Sequence, residues 1–136
     1  MAWSHLGRTL IVVQAPGIPG DAQWAEFLAD AHGDPGEAIM IVADDTKLSP
    51  KQRTEVQAWQ ERHGTPSVLV TDSRVARGVA KALSWFGVKI QAFARRELDR
   101  ALDAGKVAAS DRTAAKALID RLTVALREAR SDSLAG

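Results

Sequence analysis

Apolar residues in this chain fall into short unbroken runs, separated by stretches in which they recur every three or four positions. The runs are Leu10–Val13, Ala38–Ala43 (AIMIVA), Val68–Val70 and Val88–Phe93. Each is β-branched or aromatic in character, too short for a helix, and bounded by glycine, proline or aspartate, so each predicts a buried strand. Ala38–Ala43 is apolar throughout and is expected to be covered on both faces. Trp3–Leu6 is expected to add a short strand, paired to Leu10–Val13 through a turn at Gly7.

The intervening segments carry helical spacing. After Pro19-Gly20, Asp21 is expected to cap a helix by accepting backbone N–H bonds, with Trp24, Phe27, Leu28 and Ala31 as its apolar stripe. Ser49-Pro50 pairs an N-cap hydroxyl with a first helical residue that has no N–H to leave unsatisfied. The helix from Pro50 to about His63 has only Val56 and Trp59 as large apolar residues, which predicts loose packing at a rim. Asp72 or Ser73 caps the next helix, expected to bury Val75, Val79, Leu83 and Phe86 and to end at Gly87. Leu98, Ala101 and Leu102 mark a short helix stopped by Gly105. Ser110 is expected to cap a last helix reaching about Arg130, roughly 30 Å long, whose stripe includes Ala115, Leu118, Ile119, Leu122 and Leu126. SDSLAG beyond it is expected to fray.

Strands alternating with helices through tight joints imply crossover connections and an α/β domain. Its sheet is expected to be mixed and mostly parallel, with four to five strands packed by helices, over residues 1–106. Residues 107–136 add a C-terminal amphipathic helix, either packed on that domain or used for association as a homo-oligomer.

Composition narrows the function classes. The 136 residues are 46% hydrophobic, enough for one compact core. With 18 basic and 17 acidic residues the net charge is +1, so no global field is available to hold nucleic acid or an anionic membrane. Cysteine is absent, which excludes disulfides and thiolate metal sites and fits a cytoplasmic setting. MAWSHLGR lacks the apolar run of a signal peptide, and no window reaches the roughly 20 apolar residues of a membrane span. A soluble chain with no membrane insertion is the expectation.

From Arg8 to about Ala104 the order of elements resembles a STAS domain. LIVVQAPGIPGDAQWAEFLADA is similar to that family's strand, loop and first helix, and AIMIVADD to its central strand ending in an acidic residue. VLVTDSRVARGVAKALSWFGVKIQAF is similar to its strand, third helix and last strand, and ELDRAL to its short final helix. The resemblance is closer to the STAS-like branch related to lipid-binding SEC14 proteins than to the sporulation regulators. It implies a non-enzymatic regulatory or scaffolding module that binds another protein, as anti-sigma-factor antagonists do; the SEC14-related branch implies instead a small-ligand or lipid-binding domain with an apolar cavity. The antagonists carry an Asp-Ser-Ser/Thr-Gly element after the central strand, whose serine is phosphorylated. Here that region reads DDTKLSPKQ, and Ser49 lacks the preceding Asp and following Gly.

The candidate chemistry is sparse. Asp44 and Asp45 follow a strand, but the first strand ends in Gln14-Ala15-Pro16, without the acids a receiver-type cation site requires. His5, His32 and His63 fall in separate elements, so zinc has no local support. Ser73 lacks the glycines of a nucleophile elbow, and Gly17 and Gly20 do not fit a dinucleotide fingerprint. No catalytic residue, metal site or cofactor is therefore assigned. Ser49 is either a plain N-cap or a phosphosite, where a helix N-terminus would favour the added charge. Trp85 lies off the expected core stripe of its helix, alongside Arg74, Gly78 and Lys81. It is either an exposed anchor for a protein partner or covered by the C-terminal helix. Asp45, Lys47 and Trp59 complete the expected partner-facing region.

Overall fold

Five strands hydrogen-bond side by side in chain order: β1 (Ala2–Leu6), β2 (Thr9–Val13), β3 (Ala38–Val42), β4 (Ser67–Val70) and β5 (Ile90–Phe93). A computed structural model describes residues 1–135 of the chain. β1 runs antiparallel to β2, with Leu6 opposite Thr9 across the turn at Gly7, and the other four strands are parallel. The fold is thus α/β with a mixed, mostly parallel sheet.

Side chains alternate across the sheet and supply two cores. Ile11, Val13, Met40, Val42, Val68, Val70 and Phe93 point to one face. There they are covered by α4 (Leu98–Ala104), through Ala101 and Leu102, and by α5 (Arg112–Ala135), through Ala115, Leu118 and Ile119. Leu10, Val12 and Ile39 point to the other face, against Trp24, Phe27 and Ala31 of α1 (Asp21–Gly33) and Trp59 of α2 (Pro50–His63). Parallel strands in sequential order, joined by crossovers of one hand, place α1, α2 and α3 (Arg74–Trp85) together on this second face. The C-terminal helix is therefore the second layer of the domain, packed on the face opposite α1–α3.

Several boundaries differ from expectation for local reasons. Gly20, not Asp21, is the N-cap of α1 and makes no side-chain cap bond; Asp21 sits in the first turn, where its negative charge complements the positive end of the helix dipole. Ser110 lies inside a 3₁₀ turn (Ala109–Asp111) that precedes α5, so it does not cap that helix. The stretch expected to fray continues as helix to Ala135, and only Gly136 lies outside the described residues. Helix α2 is held more firmly than its sparse apolar residues suggest. Gln52 is buried and donates to the Pro19 carbonyl at 2.8 Å, and Trp59 fills the space against α1. Gly36 is required where it stands: its φ is +67°, and a Cβ there would meet the Arg8 carbonyl oxygen at 2.6 Å.

Candidate functional site

The two cores are not equally complete. The α4–α5 face is filled from β2 to β5, whereas the buried cluster on the other face stops at β3 and α2. Beyond that point the sheet presents Ser67 and Thr71 around Leu69, and α3 meets it with alanines, so side-chain volume runs out. The result is an open cavity of about 370 Å³ between the sheet and the three helices. Ile41 and Leu69 form its floor, Trp24, Phe27 and Leu28 one wall, Val56 and Trp59 a second, and Val79 and Leu83 the rim. Interiors normally pack to the density of organic crystals, so an open space of this size sets this face apart from the filled one.

Helix α3 explains the opening. Its small residues face the sheet: Ala80 is buried and Ala76 half-buried. The stripe expected to be core is turned outward instead, with Val75 78% and Phe86 85% exposed. Val79 and Leu83 are also exposed, lining the cavity only from its edge. This corrects the expected burial of Val75, Val79, Leu83 and Phe86. The physical reason is that alanine lets α3 approach the sheet closely, and the bulkier residues on the same helix cannot follow it into that interface. Trp85 is 74% exposed, since α5 lies on the opposite face and does not cover it. The Lys81 ammonium stands 6.0 Å from the Trp85 ring centroid, within cation–π range.

Polar groups gather at one end of the cavity, where the parallel strands finish. Asp44, just past β3, accepts from Arg95 Nη2 at 2.7 Å and from Arg95 Nε at 3.2 Å. It also accepts the Asp72 backbone N–H at 3.1 Å, so loops after three strands are tied together. The Arg95 guanidinium, outweighing the partial burial of the carboxyl, holds Asp44 below the usual carboxylate range. Asp72 in turn accepts the Arg95 backbone N–H at 3.0 Å, and Arg77 donates to the Thr71 carbonyl at 2.8 Å. Among the described residues Asp44 is the one ionisable side chain lining the cavity, and its charge is already matched. One donor in the walls has no partner: the buried Trp24 indole N–H.

The residues singled out from sequence are dispersed. Ser49 fulfils the cap reading, since its hydroxyl accepts the Gln52 N–H at 3.1 Å while the Gln52 side chain accepts the Ser49 N–H at 3.0 Å. Asp45 and Lys47 are exposed in a loop whose backbone pairs with Gly17. Trp59 does not face a partner: it is 4% exposed, and its N–H donates to the Ala31 carbonyl at 2.9 Å. An indole that joins two helices this way belongs to the core. Arg74, Gly78, Lys81 and Trp85 do share one exposed strip of α3. Sequence spacing missed the pairing of His32 and His63, whose Nδ1 and Nε2 lie 3.0 Å apart where α1 and α2 end. They are 31 residues apart in the chain, so no local pattern could reveal it.

Among the described residues no group of three or more His, Cys, Asp or Glu side chains could hold a metal ion, and no helix is long and apolar enough to cross a membrane. No family model, no curated protein and no solved structure matches this chain.

Proposed function

We propose that this chain is a non-enzymatic binding domain whose cleft between α2, α3 and the sheet takes a small, uncharged, largely apolar ligand. The observation that carries this reading is the cavity of about 370 Å³, walled by tryptophan, phenylalanine, leucine and valine side chains. Its size lies within the usual range for small-molecule sites, roughly 300–1,000 Å³. Charge decides the ligand class. No lysine or arginine lines the cavity among the described residues, and Asp44 is engaged by Arg95. A ligand carboxylate or phosphate entering it would lose water without gaining a counter-charge, which costs several kcal/mol. The resemblance of Arg8–Ala104 to the SEC14-related STAS-like pattern points the same way.

The test uses 1-aminoanthracene, a neutral fluorescent aromatic, with energy transfer from Trp24 and Trp59 as the readout. Saturable binding at micromolar concentration is expected. It should be displaced by dodecanol well before dodecanoate and abolished by Leu69→Trp, which fills the floor of the cleft. Absence of saturable binding, or equal binding by a folded Leu69→Trp variant, would overturn the proposal.

A further inference from the structure

The outward face of α3 is larger than the rim of the cleft requires. At about 100° per residue, Leu83, Val79, Phe86 and Val75 follow one another around the helix, and Ala82, Gly78 and Trp85 continue the same surface. All are exposed apart from half-buried Ala82, and the surface runs the full three turns of the element. Among the described residues nothing covers it: α5, the one long helix free to do so, is committed to the other face of the sheet.

We infer that this face docks an amphipathic helix of another protein whose flanking residues are acidic.

Three observations select that occupant. The first is charge. Arg74, Arg77 and Lys81 lie along one flank of the apolar surface and Lys89 near its C-terminal end, and no Asp or Glu occurs from Ser73 to Arg96. A chain with net charge +1 has concentrated its positive charge here. The second is shape. Three turns of apolar residues spaced by three and four, with the bare backbone of Gly78 beside them, where an added Cβ would meet nothing within 4 Å, form an apolar ridge against which a helix of similar length can pack. Trp85, a rigid aromatic with Lys81 over its ring, is of the residue type that anchors such contacts.

The third observation separates this occupant from two others. A second copy of the chain has acidic residues on α1 (Asp21, Glu26 and Asp30), but the apolar stripe of that helix, Trp24, Phe27 and Ala31, is already buried. No acidic apolar face is therefore offered by α1 for self-association. An anionic bilayer would spread beyond α3 onto α2, where Gln57, Gln60 and Glu61 face Phe86 across a polar groove, and would bring lipid phosphate towards Glu61. A helix about 10 Å wide can lie along α3 without that conflict.

The experiment uses the full chain and three synthetic amphipathic peptides of about 18 residues. They share one leucine stripe and differ only in flanking charge: acidic, neutral and basic. Fluorescence anisotropy of labelled peptide gives the affinity, and the emission maximum of Trp85, assigned with Trp85→Phe, reports contact. The acidic peptide should bind about ten-fold or more tightly than the basic one, with an affinity that falls as salt rises. Phe86→Ser should abolish binding and Lys81→Glu should weaken it several-fold, whereas Leu69→Trp should leave it unchanged. That last arm separates this surface from the cleft, so either assignment can fail alone. Equal affinity across the three peptides, or no binding to any, would overturn the inference. So would stronger partition onto phosphatidylcholine–phosphatidylglycerol vesicles, or a dimer in sedimentation that Phe86→Ser dissolves.

Discussion

His63, whose ionisation the fold shifts near neutral pH, is paired with His32. Their ring nitrogens stand 3.0 Å apart, and the His63 ring lies 5.5 Å from that of Trp59. Loss of solvation, then the neighbouring His32 and Arg62, pushes the His63 pKa below its ordinary value of 6.5. The sign of the consequence follows from linkage. Where the folded pKa is depressed, the unfolded chain binds the proton first, so folding is favoured at higher pH. Stability should be fully present above about pH 6.5 and decline as pH falls through the lower, folded value. Urea midpoints measured from pH 7.5 to 5 should therefore fall, and His63→Gln should flatten that part of the curve. A slope unchanged by His63→Gln would assign it to other groups. Such a contact is illegible in sequence, whereas the Ser49 cap is local and legible from Ser-Pro before a helix; the returning Gln52 bond is what the structure adds.

At the scale of elements, periodicity located α3 but not its rotation. Val75, Val79, Leu83 and Phe86 form a genuine apolar stripe, and the natural expectation is that the protein buries it itself. The helix instead lays Ala76 and Ala80 on the sheet, which brings its backbone close and leaves the stripe facing outward. Spacing reveals that a face is apolar; it does not say which body covers it. The strands were legible because each apolar run is short and bounded by breakers; the cavity was implied by the SEC14-related resemblance but not by spacing, because it arises where Ser67, Thr71 and two alanines meet across elements. The rotation makes a sharp mutational contrast. Ala80→Asp should cost about 1–3 kcal/mol by placing an unpartnered polar group at the buried α3–sheet contact. Phe86→Ser, at a site that buries almost nothing, should stay within about 0.5 kcal/mol. Chemical denaturation of both variants checks this, and the reverse order of costs would mean the helix sits the other way round.

For the molecule as a whole, the decisive question is whether α5 is an appendage or half of the core. Residues 1–106 contain every strand, so the sequence pattern alone favours an independent domain there. The packing argues otherwise. Ile11, Val13, Met40, Val42, Val68 and Val70 face the α4–α5 side, and α4 is only seven residues long. Removing α5 would uncover much of that surface and discard buried Leu118 and Ile119, each contributing about 1.5–3 kcal/mol. A domain of this size holds only about 5–15 kcal/mol in total, and the opposite core is already incomplete around the cleft. Both cores also share one sheet, so losing either should unfold the other. A chain ending at Lys106 is therefore expected to lack near-ultraviolet circular dichroism and a cooperative urea transition. The milder Leu118→Ala should retain a single transition, destabilised by about 2–5 kcal/mol. If the shortened chain instead unfolds cooperatively at the full-length midpoint, α5 is dispensable to the fold, and its apolar stripe must be read as a second interaction surface beside α3.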